Sequence, residues 1–168
     1  MHIDNKRRLL LIVSIFMVFA GAYAYAHVNS GRYRMPNSAM EPTINTGDTF
    51  LADMSAYESA NPDRWDLVVF RSPKKEDTNW VFRVVGLPGE TISFDDHGLL
   101  VDGETIDLPS RIGNVIYSSA VDGEKSFVVQ NHSYFVLGDN PTKANDSRFW
   151  GTLSREAILG RVNEDTLD

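Results

Sequence analysis

Short apolar runs separated by turn residues constrain the fold of this chain more than any other feature. The runs are rich in β-branched and aromatic residues, which is typical of strands, and they cover residues 50–52, 67–70, 80–85, 91–94, 98–101, 126–129 and 134–137. Turn-forming residues lie between them, including Asp-Gly pairs at 102–103 and 122–123. This pattern predicts an all-β, antiparallel domain. Only residues 55–60 and 154–159 are expected to be briefly helical.

The N-terminal segment has the composition of a membrane helix. Three basic residues at 6–8 precede an uncharged run from Leu9 to Ala26, which is just long enough to cross a bilayer as a helix. Basic residues before such a run keep the N-terminus in the cytoplasm, so the rest of the chain is expected on the extracytoplasmic side. The predicted divisions are a cytoplasmic segment at 1–8, a transmembrane anchor at 9–26, a linker at 27–34 and a β domain at 35–168.

A cleavable secretory signal is the alternative interpretation of the same segment. The apolar run ends in the small-x-small sequence Ala24-Tyr25-Ala26, which also fits a signal cleavage site. In that case the remainder, beginning near His27, would be a secreted structural β module without a membrane anchor.

Charge and residue counts exclude several classes of function. Beyond residue 26 the chain has 13 basic and 22 acidic residues, a balance that makes it a poor partner for nucleic acid. It contains no cysteine, which excludes disulfides, thiolate catalysis and cysteine-ligated metals. Its four histidines show no metal-ligand spacing. We therefore predict no metal site and no cofactor.

Three sequence boxes carry the strongest functional signal. The first is Asn-Ser-Ala-Met-Glu-Pro-Thr at 37–43, the second is Arg-Val-Val-Gly-Leu-Pro-Gly-Glu at 83–90, and the third joins Gly-Asp-Asn at 138–140 to Asp-Ser-Arg-Phe-Trp-Gly at 146–151. In this order and spacing they resemble the boxes of type I signal peptidases, peptidase family S26. Those proteins are membrane-anchored serine endopeptidases that cleave signal peptides. The resemblance implies a compact signal-peptidase-like β domain behind one N-terminal transmembrane helix.

The resemblance also locates three reactive positions, and this chain carries an unreactive side chain at each. In the family, a serine nucleophile precedes the Met-x-Pro-Thr run, a lysine base precedes the arginine of the second box, and an orienting hydroxyl lies two residues before Asp-Ser-Arg. The corresponding residues here are Ala39, Phe82 and Ala144. A methyl group and a benzene ring cannot attack a carbonyl or accept a proton. The resemblance therefore implies a signal-peptidase-like protein with no intact catalytic residues.

The resemblance also implies a peptide-binding role that does not need catalysis. In the family, the backbone amide at the nucleophile position and a side chain two residues earlier form the oxyanion hole, and these correspond to Ala39 and Asn37. Met40 and Pro42 resemble residues near the family's substrate cleft. We therefore predict that Asn37, Ala39, Met40 and Pro42 bind signal peptides or extended polypeptides of exported proteins by strand addition. The membrane and an active signal peptidase are further expected partners.

Charged residues of the second and third boxes are predicted to be structural. Arg83, Asp146 and Arg148 belong to this group, and the family's Asp-Ser-Arg sequence suggests an ion pair between Asp146 and Arg148 that holds the loop. Asp139 is interpreted as a loop-shaping residue, because neither a nucleophile nor a histidine is adjacent to it.

An alternative prediction retains an active serine endopeptidase by moving the nucleophile to Ser38. Lys74, Lys75 or Lys143 would then serve as the base. A shift of one residue in an extended segment directs the side chain to the opposite side, and nucleophilic attack tolerates only small displacements. The non-catalytic interpretation is therefore favoured.

Overall fold

A computed structural model describes residues 5–75, 77–96, 98–113, 115–118 and 126–167. Within these ranges the chain forms helices α1 and α2 and strands β1 to β11. In chain order their bounds are α1 Asn5–Val28, β1 Ser30–Arg34, β2 Thr49–Asp53, β3 Leu67–Arg71, β4 Asn79–Gly86, β5 Thr91–Asp95, β6 Gly98–Val101, β7 Glu104–Thr105, β8 Ser126–Val128, β9 Ser133–Leu137, α2 Ser147–Trp150, β10 Leu153–Ser154 and β11 Ile158–Val162. Short 3₁₀-helices cover Ser110–Ile112, Arg155–Ala157 and Glu164–Thr166.

The strands form two antiparallel sheets in the described part of the chain. The larger sheet has the order β1-β2-β11-β3-β4-β9-β10, and the smaller has the order β7-β6-β5-β8. Strand β4 lies inside the larger sheet, where Phe82 is opposite Val68 of β3 and Arg83 is opposite Leu137 of β9. The predicted antiparallel β architecture is confirmed. Its register places the first residues after β9 beside the middle of β4.

Two buried apolar clusters form the core of the described residues, and β4 contributes to both. Phe82 and Val84 belong to the cluster on the larger sheet, whereas Val85 packs with Ile92 and Phe135 in the other. Successive side chains of a strand point to opposite faces. A central strand that is covered on both faces therefore has an uninterrupted apolar sequence. Position 82 is therefore a core position, with an exposed fraction of 4%.

Turn chemistry agrees with the sequence at one predicted hairpin. Asp102 and Gly103 connect β6 to β7, and both have positive φ angles, of 51° and 83°. Asp-Gly pairs favour this conformation because two-residue hairpin turns need left-handed backbone at both positions. The second predicted Asp-Gly turn, at 122–123, lies outside the described residues.

Several local expectations differ from the structure. Residues 30–34, which were expected to belong to a linker, form β1 and pair with β2 from Ser30 opposite Asp53 to Arg34 opposite Thr49. This edge strand is polar and lacks apolar alternation, so pairing with β2 rather than its own pattern defines it. Residues 55–60 form turns instead of a helix, because the Asp53 carboxylate accepts hydrogen bonds from the Ser55 amide and hydroxyl. Within residues 154–159, only Arg155–Ala157 is helical, and β11 begins at Ile158.

The N-terminal segment is helical, as predicted, over Asn5–Val28. Large apolar side chains between Leu9 and Phe19 are 45–74% exposed. Among the described residues, none of the helices combines the length and the apolar character needed to cross a membrane. The predicted transmembrane anchor at 9–26 is therefore not confirmed, and residues 1–4 of the predicted cytoplasmic segment lie outside the described residues.

Candidate functional site

The three residues that the sequence resemblance assigns to reactive positions lie together around Gly138, directly after β9. A Cβ atom built on Gly138 would lie 2.4 Å from the Ala144 Cβ, 2.6 Å from the Ala39 carbonyl oxygen and 3.2 Å from the Phe82 Cε1. Ala39, Phe82 and Ala144 are each buried. The fold thus joins three residues that are distant in the sequence, and the absence of a side chain at position 138 permits their close approach.

Phe82 is packed within an aromatic group. Its ring centroid lies 5.8 Å from that of Phe70 and 6.0 Å from that of Trp80, and Phe70 also contacts Trp150 at 6.3 Å. Aromatic rings at these separations attract one another beyond simple area burial. The surroundings suit an uncharged ring, and an unpaired amine there would be desolvated at considerable cost.

The peptide group of Ala39 is hydrogen-bonded on both sides. Its N–H donates to the Asn37 Oδ1 at 3.0 Å, and its carbonyl oxygen accepts from the Asn140 N–H at 3.0 Å. In this structure Asn37 accepts from the Ala39 amide, whereas the predicted oxyanion hole requires both groups to donate to a ligand oxygen. Asn side chains readily accept a hydrogen bond from the backbone two residues later, and here that local turn engages the Ala39 amide.

A groove opens beside these residues. Its volume is about 170 Å³, and most of its lining is apolar or aromatic, with three asparagines and two cationic side chains. The described lining residues are Tyr33, Arg34, Met35, Pro36, Asn37, Ala39, Phe50, Asn79, Trp80, Val81, Phe82, Lys143 and Asn145.

A buried ion pair begins at the residue directly after Gly138. The Nε and Nη2 of Arg83 donate to the Asp139 carboxylate at 2.9 and 2.7 Å, and the Thr43 hydroxyl also donates to Asp139. Both charged residues are almost completely buried. Burial alone would lower the pKa of Arg83, but the hydrogen bonds and charge of Asp139 outweigh it and raise that pKa. Sequence reasoning assigned Arg83 a structural role but missed its partner 56 residues away; the signal was an arginine inside an apolar strand, which needs an anion.

The predicted ion pair between Asp146 and Arg148 is present. Arg148 donates from Nε and Nη2 to Asp146 at 2.8 and 2.9 Å, and Nη2 also donates to the Pro141 carbonyl at 2.8 Å. The Asp146 carboxylate accepts in addition from the Gly138 N–H at 3.1 Å. These bonds fasten both ends of the loop that carries Ala144.

Tyr117 lies beside this second ion pair. Its ring centroid is 5.9 Å from the Arg148 Cζ, its side chain is buried, and burial raises the pKa of its hydroxyl. Among the described residues, that hydroxyl has no hydrogen-bond partner.

The sequence matches the model of a known protein family over most of its length. The sequence model described as "Signal peptidase, peptidase S26" matches residues 7–165. The chain belongs to the S26 signal peptidase family.

Individual S26 relatives and a solved structure agree with this membership. Signal peptidase I of Aquifex aeolicus is 27% identical, with 90% of this chain and 81% of the relative covered. Signal peptidase IB of Staphylococcus aureus is also 27% identical, with 95% and 89% covered. The probable signal peptidase I-2 of Synechocystis is 31% identical, with 80% and 62% covered. The crystal structure of a signal peptidase I from Enterococcus faecalis V583 superposes with a TM-score of 0.50 at 28% identity, and 62% of this chain and 98% of that chain are covered.

The structure places only two of the four predicted peptide-binding residues of this S26 protein at the groove. Asn37 and Ala39 line the groove. Met40 is completely buried in the core, and so is Ile44, whose backbone N–H donates to the Met40 carbonyl. Pro42 is exposed but is not among the groove-lining residues described.

The residues of the alternative catalytic prediction are also separated. Ser38 is partly exposed and does not belong to the described groove lining, whereas Lys143 does. Lys74 and Lys75 lie in the connection between β3 and β4, outside that lining. In the described part of the chain, no hydrogen bond joins the Ser38 hydroxyl to a lysine.

Proposed function

We propose that this S26 protein is a non-catalytic homologue that binds extended polypeptides in the groove beside Ala39 and Phe82. The observation that carries the proposal is the convergence of Ala39, Phe82 and Ala144 around Gly138. Hydrolysis of a peptide bond by a serine mechanism needs a hydroxyl and a proton acceptor in contact. At the positions that the family resemblance assigns to those groups, this chain has two methyl groups and an aromatic ring.

The groove supports binding in the absence of hydrolysis. It is concave and largely apolar, with a few amide groups that can orient a ligand. A signal peptide or another extended segment of an exported protein would place apolar side chains against Trp80 and Phe82. Its backbone could form a hydrogen bond with the Ala39 amide after displacing the Asn37 side chain.

The N-terminal helix supports a second part of the proposal, namely attachment to a membrane as a single-pass protein with the N-terminus in the cytoplasm. Exposed large apolar side chains follow the basic residues Lys6, Arg7 and Arg8 along α1. An active signal peptidase in the same membrane is the proposed protein partner. Alkaline extraction of membranes should leave the chain in the pellet, and its complete release would contradict this part.

Peptide binding can be tested with the groove's own tryptophan. Titrating the full chain in detergent with an extended apolar peptide should change Trp80 fluorescence in a saturable manner, because Trp80 lines the groove. In the matched variant Trp80→Phe the fluorescence change should disappear, while calorimetry still detects binding. The absence of saturable binding by both methods would refute the proposal.

Loss of catalysis can be tested separately with a preprotein substrate. The unmodified chain should give no cleavage, and Ser38→Ala should change nothing. Cleavage by the unmodified chain that disappears in Ser38→Ala would instead establish the alternative, an active endopeptidase with Ser38 as its nucleophile. The combined variant Ala39→Ser, Phe82→Lys and Ala144→Ser tests whether the remaining frame supports the family's chemistry.

A further inference from the structure

The charges of the groove are opposite in sign to the charge of the whole chain. The chain has a formal net charge of −7. Among the described residues that line the groove, the charged side chains are Arg34 and Lys143, and both are cationic. An acidic protein that directs two cations into an apolar groove offers a local site for an anion.

The cationic groups are available to a ligand. Lys143 is exposed, and the contact described for it is the hydrogen bond from its backbone N–H to the Asn140 carbonyl. Arg34 is also exposed and lines the groove, and its Nε donates to the Gly47 carbonyl at 3.1 Å. The Ala39 amide, in contrast, is engaged by Asn37. An anion entering the groove would therefore meet its counter-charges on side chains.

The groove presents two kinds of lining group to a ligand, an apolar and aromatic surface and two cationic side chains. A C-terminal carboxylate brings an anion together with the apolar side chain of the last residue, which matches the two kinds of lining group.

We propose that the groove selects an extended apolar polypeptide that ends in a free C-terminal carboxylate, which Lys143 and Arg34 recognise. This inference rests on the proposed peptide-binding function and adds the chemical class of its ligand. Such ends are the products of a peptidase, since cleavage creates a new carboxylate. The chain would then retain released apolar peptides instead of producing them.

The test compares three acetylated peptides of the same apolar sequence against the full chain in detergent, by calorimetry. One has a free C-terminal carboxylate, one a C-terminal amide, and the third an amide after an added C-terminal Glu. The free carboxylate should bind about fivefold more tightly than the amide, because two partly exposed charge pairs contribute modestly. This preference should shrink at high salt. The variant Lys143→Gln should reduce the preference, and the control Lys74→Gln, which makes the same change of charge outside the groove, should leave it unchanged.

Each outcome decides a different statement. Equal affinity for the carboxylate and amide peptides would overturn carboxylate selection and leave the proposed peptide binding intact. Binding of the Glu peptide as tightly as the free carboxylate would overturn selection of a chain end. A preference that persists in Lys143→Gln and falls in Lys74→Gln would overturn the assignment to the groove. Failure of all three peptides to bind would overturn both the inference and the proposed function.

Discussion

Replacing Gly138 by alanine should expand the site and destabilise the fold. The new Cβ would lie 2.4 Å from the Ala144 Cβ and 2.6 Å from the Ala39 carbonyl oxygen. Neither neighbour is the end of a flexible side chain, so both segments must move apart. Gly138 is not among the described glycines with positive φ, so alanine is excluded by space and not by backbone conformation. Overpacking of this kind costs about 2–3 kcal/mol.

Chemical and thermal denaturation of the full chain in detergent can measure this loss. For a chain of this size the unfolding temperature should fall by roughly 5–10 °C. Adding Ala144→Gly removes the closer contact but leaves the one with the Ala39 carbonyl. The double variant should therefore lose less stability than the sum of the losses of the two single variants. A free energy of unfolding for Gly138→Ala within about 0.5 kcal/mol of the unmodified chain would refute the geometry described for the three converging residues.

Three further substitutions test the surroundings of the site. Asp139→Asn removes the nearer carboxylate partner of the buried Arg83 guanidinium and leaves Glu164, whose Oε1 lies 3.4 Å from the Arg83 Nη1. The substitution should lower the free energy of unfolding by about 3 kcal/mol in chemical denaturation, and a loss below about 1 kcal/mol would contradict the role of the ion pair with Asp139. Tyr117→Phe removes a buried hydroxyl without a described partner, so denaturation should show a neutral or stabilising effect, and a clear loss of stability would reveal an unrecognised bond. Asn37→Ala frees the Ala39 amide and should tighten peptide binding about threefold in calorimetry, whereas weaker binding would show that Asn37 contacts the ligand.

The sequence predicted strands β2 to β6, β8 and β9, which carry their own apolar pattern, and it missed β1, β7, β10 and β11. Runs such as 67–70 and 80–85 are rich in β-branched and aromatic residues, which identify buried strands before any partner is known. The polar residues Ser30–Arg34 have no such pattern and become β1 through pairing with β2. Edge strands are often charged and polar, so periodicity does not detect them.

At the candidate site, the sequence resemblance identifies which positions matter, but only the structure shows which of these residues contact one another. Residues 39, 82 and 144 are identified by their places relative to the boxes, and no local pattern indicates that Gly138 joins them. The pairing of Arg83 with Asp139 likewise depends on the register of β4 with β9. Expectations for single side chains were least reliable, because the burial of Met40 and the hydrogen bond between Asn37 and Ala39 are set by one turn of backbone.

Under the proposed non-catalytic function, the contacts of the site explain how its frame persists without a hydroxyl at position 39 and an amine at position 82. The ion pairs of Arg83 with Asp139 and of Asp146 with Arg148 hold the backbone around Gly138, and neither pair involves a catalytic atom. Within that frame the three unreactive side chains depend on one another: a lysine alone at position 82 would place an amine among aromatic rings and two methyl groups, with no hydroxyl to accept its hydrogen bond. A serine alone at position 39 would lack a base. A single substitution at either position should therefore give no hydrolysis, and any hydrolysis should require the hydroxyl and the amine to be introduced together.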